Sequence, residues 1–230
     1  MVQRLLAASV HEGDRARRVS LPLAPFLTVW TVLAMNIASP GPNVLNTITT
    51  AMGSGRAAGL ASAAAVALGI GIWCVGMTLG MAALFLALPA ARAILTVIAI
   101  CLLLWFASRY LRAAWQGWRG TGKKLAGRSG LSLRAAFLRS LSVNALNPKA
   151  LTTWVLILTL FPVARAGAGD IALLCAGASA IAFAIHAAYA VAFSTAPAAR
   201  AYLRAAPVIN GAVGLFFAGF AVRLAAGLLP

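Results

Sequence analysis

The chain has 230 residues, of which 62% are apolar and only 10% charged, with a mean hydropathy of +0.93. Water-soluble domains carry roughly a quarter charged residues, so an ordinary soluble fold is excluded. Nineteen Lys and Arg against Glu12, Asp14 and Asp170 give a net charge of +16, and that shortage of acids excludes paired-carboxylate chemistry and hard-cation sites within the apolar segments. The basic residues lie mainly between apolar runs and lack interleaved aromatics, which fits loops at a membrane surface and not a nucleic-acid partner.

The apolar runs match the length of about 20 residues that crosses a hydrocarbon core of roughly 30 Å, and they lack the alternation of barrel strands. The sequence therefore predicts an all-α integral membrane protein with six transmembrane helices. Residues 1-21 form a charged N-terminal extension in which the charges follow the short apolar run, unlike a cleavable signal. The first span covers Leu23 to Thr50 and is broken at Pro40 to Pro42. A flexible polar turn, Met52-Gly53-Ser54-Gly55-Arg56, follows it.

The second span runs from Gly59 to Leu88, and the four-residue spacing of its Gly76 and Gly80 suits close helix packing. The third covers Ala93 to Tyr110, with Arg112, Trp115 and Trp118 at an expected membrane interface. A basic polar loop, 119-132, separates this first half, 22-118, from the second, 133-230. The fourth span begins near Leu133, breaks at Asn147-Pro148-Lys149 and ends near Phe161-Pro162. The fifth covers Ile171 to Ser194, with Asp170 as its N-terminal cap, and the sixth Pro207 to Leu229. Cys74, Cys101 and Cys175 are isolated and read as small core residues, suggesting neither a zinc site nor a disulfide framework. Most basic residues fall on the side of the first, third and fifth connections, which favours a cytoplasmic third connection, although the N-terminal arginines pull the other way.

Asn36-x-x-x-Pro40 and Asn144-x-x-x-Pro148 share one spacing and coincide with the clear proline breaks inside spans. Proline removes a backbone donor and clashes with the carbonyl four residues back, so each break leaves polar backbone that something nearby must satisfy. Spans one to three and four to six then read as two three-helix repeats. Since three is odd, the second is inverted relative to the first, the plan of many secondary carriers in which broken helices 1 and 4 meet near the membrane centre. Half-helix N-termini attract a carboxylate, and the amides of Asn36, Asn43, Asn144 and Asn147 can accept from an ammonium group, so the inventory suits a zwitterionic amino acid. Lys149 either pairs with a substrate carboxylate or snorkels to the interface. His186 is the candidate proton relay, with a hydrogen-bonded packing histidine near Tyr189 as the alternative. An intramembrane enzyme would need His186 to pair with a nucleophile such as Ser194, which lacks a surrounding motif. A passive channel or pore is a further alternative, with no polar rings or filter sequence to support it.

Ser39-Pro40-Gly41-Pro42-Asn43, the turn Gly55-Arg56-Ala57-Ala58-Gly59, Leu68-Gly69-Ile70-Gly71-Ile72-Trp73 and Asn144-Ala145-Leu146-Asn147-Pro148-Lys149-Ala150 together resemble the LysE/RhtB family of bacterial amino-acid exporters. That resemblance implies a multi-pass protein of the inner (plasma) membrane, embedded in lipid, that exports amino acids or close derivatives by alternating access, driven by the proton-motive force. It implies amino-acid substrate and protons as partners, no cofactor or metal, no nucleic acid and no enzymatic activity, with homo-oligomerisation left open. By motif position it marks Pro40, Gly41, Pro42, Asn43, Asn147, Pro148 and Lys149 as the functional core. Gly71 stands where many members of that family carry an acidic residue.

Overall fold

The computed structural model describes residues 19-87, 91-119, 127 and 129-227. Most of the N-terminal extension and much of the basic loop lie outside those residues. Seven α-helices form the described chain: α1 (Leu23–Ala38), α2 (Pro42–Ala87), α3 (Ala91–Trp118), α4 (Leu133–Ala145), α5 (Pro148–Leu160), α6 (Ala168–Ala192) and α7 (Ala196–Ala226). Pro42–Gly80, Thr96–Trp118, Ala168–Ala192 and Arg200–Ala226 are long and apolar enough to cross a membrane. The expected first and fourth spans are each divided between two shorter pieces.

The first division lies at Ser39 to Gly41. Pro40 disfavours helical backbone at the preceding residue, and Ser39 is extended, with φ -74° and ψ 146°. Pro42 then opens α2 at the first helical position, where a missing N–H costs nothing. The second division is at Leu146 and Asn147, ahead of Pro148. Asn147 is extended, and its side-chain oxygen caps α5 by accepting from the Lys149 backbone N–H at 3.0 Å.

The flexible turn expected after the first span is replaced by a single-residue reversal. As a straight rod, the 46 residues of α2 would extend about 70 Å, far more than a bilayer needs. Gly55 breaks the rod with φ 85° and ψ 170°, a backbone conformation that only glycine adopts readily. The two legs fold back on each other. Thr47 and Ser62, 15 residues apart in the chain, have their hydroxyls 2.9 Å apart, and a Cβ on Gly59 would come within 2.7 Å of the Ala51 Cβ.

The second leg of α2 packs on α6, α3 packs on α7, and α4 lies against α2. One apolar core joins Phe26 and Leu33 of α1 with Trp154, Ile157 and Leu158 of α5, Val66, Ile70 and Cys74 of α2, and Leu174 of α6. Another joins Leu103, Phe106 and Tyr110 of α3 to Val213 and Phe217 of α7. Glycine permits the closest approaches. A Cβ at Gly69 would sit 2.3 Å from Asn144 Oδ1, and one at Gly177 would sit 2.3 Å from the Trp30 ring.

Two sequence expectations change, and that of Asp170 as a helix cap holds. A Cβ at Gly76 or Gly80 would meet nothing within 4 Å, so these two glycines make no close helix contact among the described residues. Cys74 and Cys175 are not separate core residues: their Cα atoms lie 5.6 Å apart, and a disulfide joins α2 to α6, while Cys101 is free and exposed. Asp170 caps α6 from its third helical position, accepting from the Gly167 N–H at 2.9 Å, and also binds the Ser20 N–H, the Ser20 hydroxyl and the Leu21 N–H.

Candidate functional site

The two helix breaks converge on one cavity. It is lined by Asn36 and Ile37 from the end of α1, Gly41, Pro42, Asn43 and Val44 at the start of α2, Asn147, Lys149 and Ala150 around the start of α5, Thr153 and Trp154 one turn on, and Leu33, Ile70 and His186. Both helix N-termini therefore border the same space, each contributing the positive end of its dipole. The cavity offers about 40 Å³ to the centre of a water-sized sphere, room for a few waters.

Lys149 links the breaks. Its Nζ donates to the Asn36 carbonyl at 2.7 Å, to Ser39 Oγ at 2.8 Å and to the Ser39 carbonyl at 3.4 Å. It also stands 5.4 Å from the centroid of the Tyr110 ring. The last carbonyls of a helix lack intrahelical partners and carry its negative dipole end, so an ammonium group there is favourably placed. The cation at the second break thus caps the helix that ends at the first. Lys149 does not snorkel: its nitrogen is held among these carbonyls. Tyr189 from α6 satisfies a further α1 carbonyl, donating to Ala38 O at 2.6 Å.

A hydrogen-bonded ring stiffens this junction. The Ser39 and Tyr110 hydroxyls are 2.6 Å apart, Tyr110 donates to Asn36 Oδ1 at 3.1 Å, Asn36 Nδ2 donates to Thr153 Oγ1, and Thr153 in turn donates to the Lys149 carbonyl. Asn36 therefore lines the cavity with its amide already engaged. Asn147 lines it too, with its oxygen spent on capping α5. Asn43 differs, since its Oδ1 is buried without a hydrogen-bond partner.

Not every residue singled out in the sequence meets the cavity. Pro40 and Pro148 shape its edges through the backbone and are absent from its lining, while Asn144, fully buried, stands against Gly69 with neither side-chain polar atom partnered. His186 does line it, at 1% exposure. Its Nδ1 lies 2.9 Å from the Ala182 carbonyl, its Nε2 has no partner, and its ring is 6.3 Å from that of Tyr189. Ser194 cannot serve it as a nucleophile. That hydroxyl lies two helical turns further on, donating to the Val191 carbonyl and accepting from Arg56.

Thr153, Trp154, Tyr110 and the apolar wall were not legible as site residues. Thr153 follows Lys149 at the four-residue spacing that shares a helix face, the one signal that could have pointed to it. Tyr110 and Trp154 had none, because a single aromatic in an apolar segment reads as core.

The model of the family described as LysE type translocator matches residues 34–227. The chain belongs to the LysE type translocators. Members of this family are transporters and not enzymes, and the family together with the apolar helices makes this a multi-pass membrane protein with an export function. No solved structure matches the chain.

Proposed function

We propose that this LysE type translocator is a secondary transporter that exports amino acids or close derivatives across the bacterial inner membrane by alternating access, driven by the proton-motive force. The observation that carries this reading is the convergence of two discontinuous helices and Lys149 on one central cavity. Backbone breaks at membrane depth are tolerated only where protein or a solute satisfies them.

An inverted repeat is supported by register. Asn36 and Asn144, Pro40 and Pro148, Gly69 and Gly177, and Gly71 and Ser179 all stand at one constant offset. Gly71 also faces Ser179 directly across α2 and α6, where a Cβ would lie 2.9 Å from the serine oxygen. That contact is where an axis relating two such halves would pass. Six crossings follow, with α1 and the first leg of α2 as one and α4 and α5 as another. The face bearing Arg56, Arg109, Arg112, Arg119, Arg134, Arg139, Arg200 and Arg204 is then cytoplasmic.

Cells loaded with dipeptides and expressing the protein should release free amino acid faster than controls, with saturation and with loss of the effect under a protonophore. Pro42→Ala and Asn147→Ala should abolish that release while the protein remains inserted and abundant. Flux that never saturates and ignores the proton gradient would favour a passive pore, and normal export by both variants would remove the case for this cavity.

A further inference from the structure

We infer that the cavity holds a neutral α-amino acid with a short side chain in one fixed orientation, its carboxylate toward α5 and its ammonium toward α2 and α6, and that it rejects basic amino acids. The inference rests on the export reading and adds to it the substrate class and the groups that read it.

Four polar groups define the orientation. On α5, Lys149 Nζ is a cationic donor, and five residues on, Trp154 Nε1 is buried with no hydrogen-bond partner. An indole nitrogen can only donate. On the other helices the unsatisfied groups are acceptors. Asn43 Oδ1 of α2 is one. His186 of α6 is the other: a carbonyl can only accept, so the ring nitrogen facing Ala182 O carries the proton, and in the neutral ring Nε2 presents its lone pair. All four residues line the same cavity. A buried polar atom without a partner is costly, and the three unpartnered atoms on Trp154, Asn43 and His186, with the already hydrogen-bonded Lys149 charge beside them, are complementary to a molecule with acceptors at one end and donors at the other. A carboxylate suits the Lys149 and Trp154 donors, and an ammonium suits the Asn43 and His186 acceptors.

Charge and space restrict the side chain. No carboxylate lines the cavity, and Lys149 is its one lysine or arginine. The acidic side chain among the described residues, Asp170, is committed at the start of α6 to Ser20, Leu21 and Gly167. A second cationic group on the substrate would therefore be desolvated beside Lys149 without a counter-ion. The remaining wall, Leu33, Ile37, Val44 and Ile70, is apolar and closes on a small volume. His186 is on this reading a substrate-positioning acceptor, in place of the candidate proton relay or packing histidine weighed from sequence.

The test uses the purified full-length protein in proteoliposomes, with counterflow of radiolabelled L-alanine competed by unlabelled compounds. Glycine, L-alanine and L-serine should compete. L-Lysine, L-arginine, L-alaninamide, which lacks the carboxylate, and propionate, which lacks the ammonium, should each compete at least about tenfold more weakly, the loss expected for one charged hydrogen-bonding end. Trp154→Phe should weaken L-alanine by about tenfold with insertion unchanged, and Asn43→Asp should admit L-lysine. Lysine competing as well as alanine, or alaninamide and propionate competing as well as the zwitterion, would overturn the inference while leaving amino-acid export intact. Should Trp154→Phe fail to insert, the unmodified protein's competition series decides the matter. Absence of counterflow for every amino acid would overturn the export reading and this inference with it.

Discussion

The bundle is closed differently on the two sides of its cavity. Toward the end where α1 begins, the closure is apolar and aromatic: Phe26 packs on Trp30 and Phe161 with ring centroids 5.7 and 5.2 Å apart, Leu174 joins them, and the Cys74 to Cys175 disulfide ties α2 to α6. Toward the Gly55 reversal it is a chain of polar side chains. Arg139 donates to Asn46 at 3.2 Å, Asn46 to Ser140 at 2.7 Å and Ser140 to Ser62 at 2.7 Å, with Thr47 alongside. Water can replace hydroxyl and amide partners one at a time, so each such bond is worth only about 0.5–1.5 kcal/mol net. Separating packed aromatics exposes apolar surface at roughly 25 cal/mol per Å². The polar end is thus the easier one to wet, and on the proposed orientation it faces the cytoplasm, the side from which an exporter loads.

The junction between these ends should be the most sensitive point. Lys149→Ala leaves the carbonyls at the end of α1 without their cation and opens the ring of Ser39, Tyr110 and Asn36. We expect export to fall at least about a hundredfold, the scale for losing a buried charged partner, in a whole-cell efflux assay normalised to inserted protein. Retained efflux would mean that the breaks are coupled some other way. Next comes Gly177→Ala, which drives a methyl into the Trp30 ring at the apolar end. Overpacking of this kind costs about 1–3 kcal/mol, read as a lower melting temperature of the detergent-solubilised protein; an unchanged value would show that the seal is loosely packed.

The matching change at the polar end is Ser140→Ala, which removes the acceptor of Asn46 Nδ2. A loss of about 1 kcal/mol is expected, and a loss exceeding that of Gly177→Ala would reverse the ranking of the two closures. The smallest effect concerns the disulfide. If the apolar end must separate during transport, reduction by a membrane-permeant thiol should raise turnover roughly twofold to fivefold, under about 1 kcal/mol of barrier, and Cys74→Ser should be insensitive to the reductant. Identical rates before and after reduction would show that α2 and α6 move as one body.

Much of the fold was legible because its signals are local. Pro40, Pro42 and Pro148 disfavour an unbroken helix, and Asn147 immediately ahead of Pro148 is a helix start that needs no knowledge of the remaining chain. Proline alone was not decisive, since α7 runs through Pro207, where the sixth span was expected to begin. The turn at 52-56 was recognised but misjudged in form, since composition shows that the chain bends near Gly55 without showing that one residue suffices. Among the asparagines, spacing could not separate Asn43, whose oxygen is unsatisfied, from Asn36, whose amide is spent on Tyr110 and Thr153.

By itself, then, the sequence determined that this is a helical membrane protein, where two of its helices are interrupted and which family it resembles, because hydropathy, proline chemistry and motif order are written along the chain. Tertiary structure decided what meets at the interruptions. Lys149 reaches carbonyls 110 to 113 positions away, Cys74 finds Cys175 across 101, and Trp154 and His186, each with an unsatisfied ring nitrogen, line one cavity from helices that share no local pattern. Contacts of that range depend on how helices pack, and the close approaches at Gly69 and Gly177 set the packing.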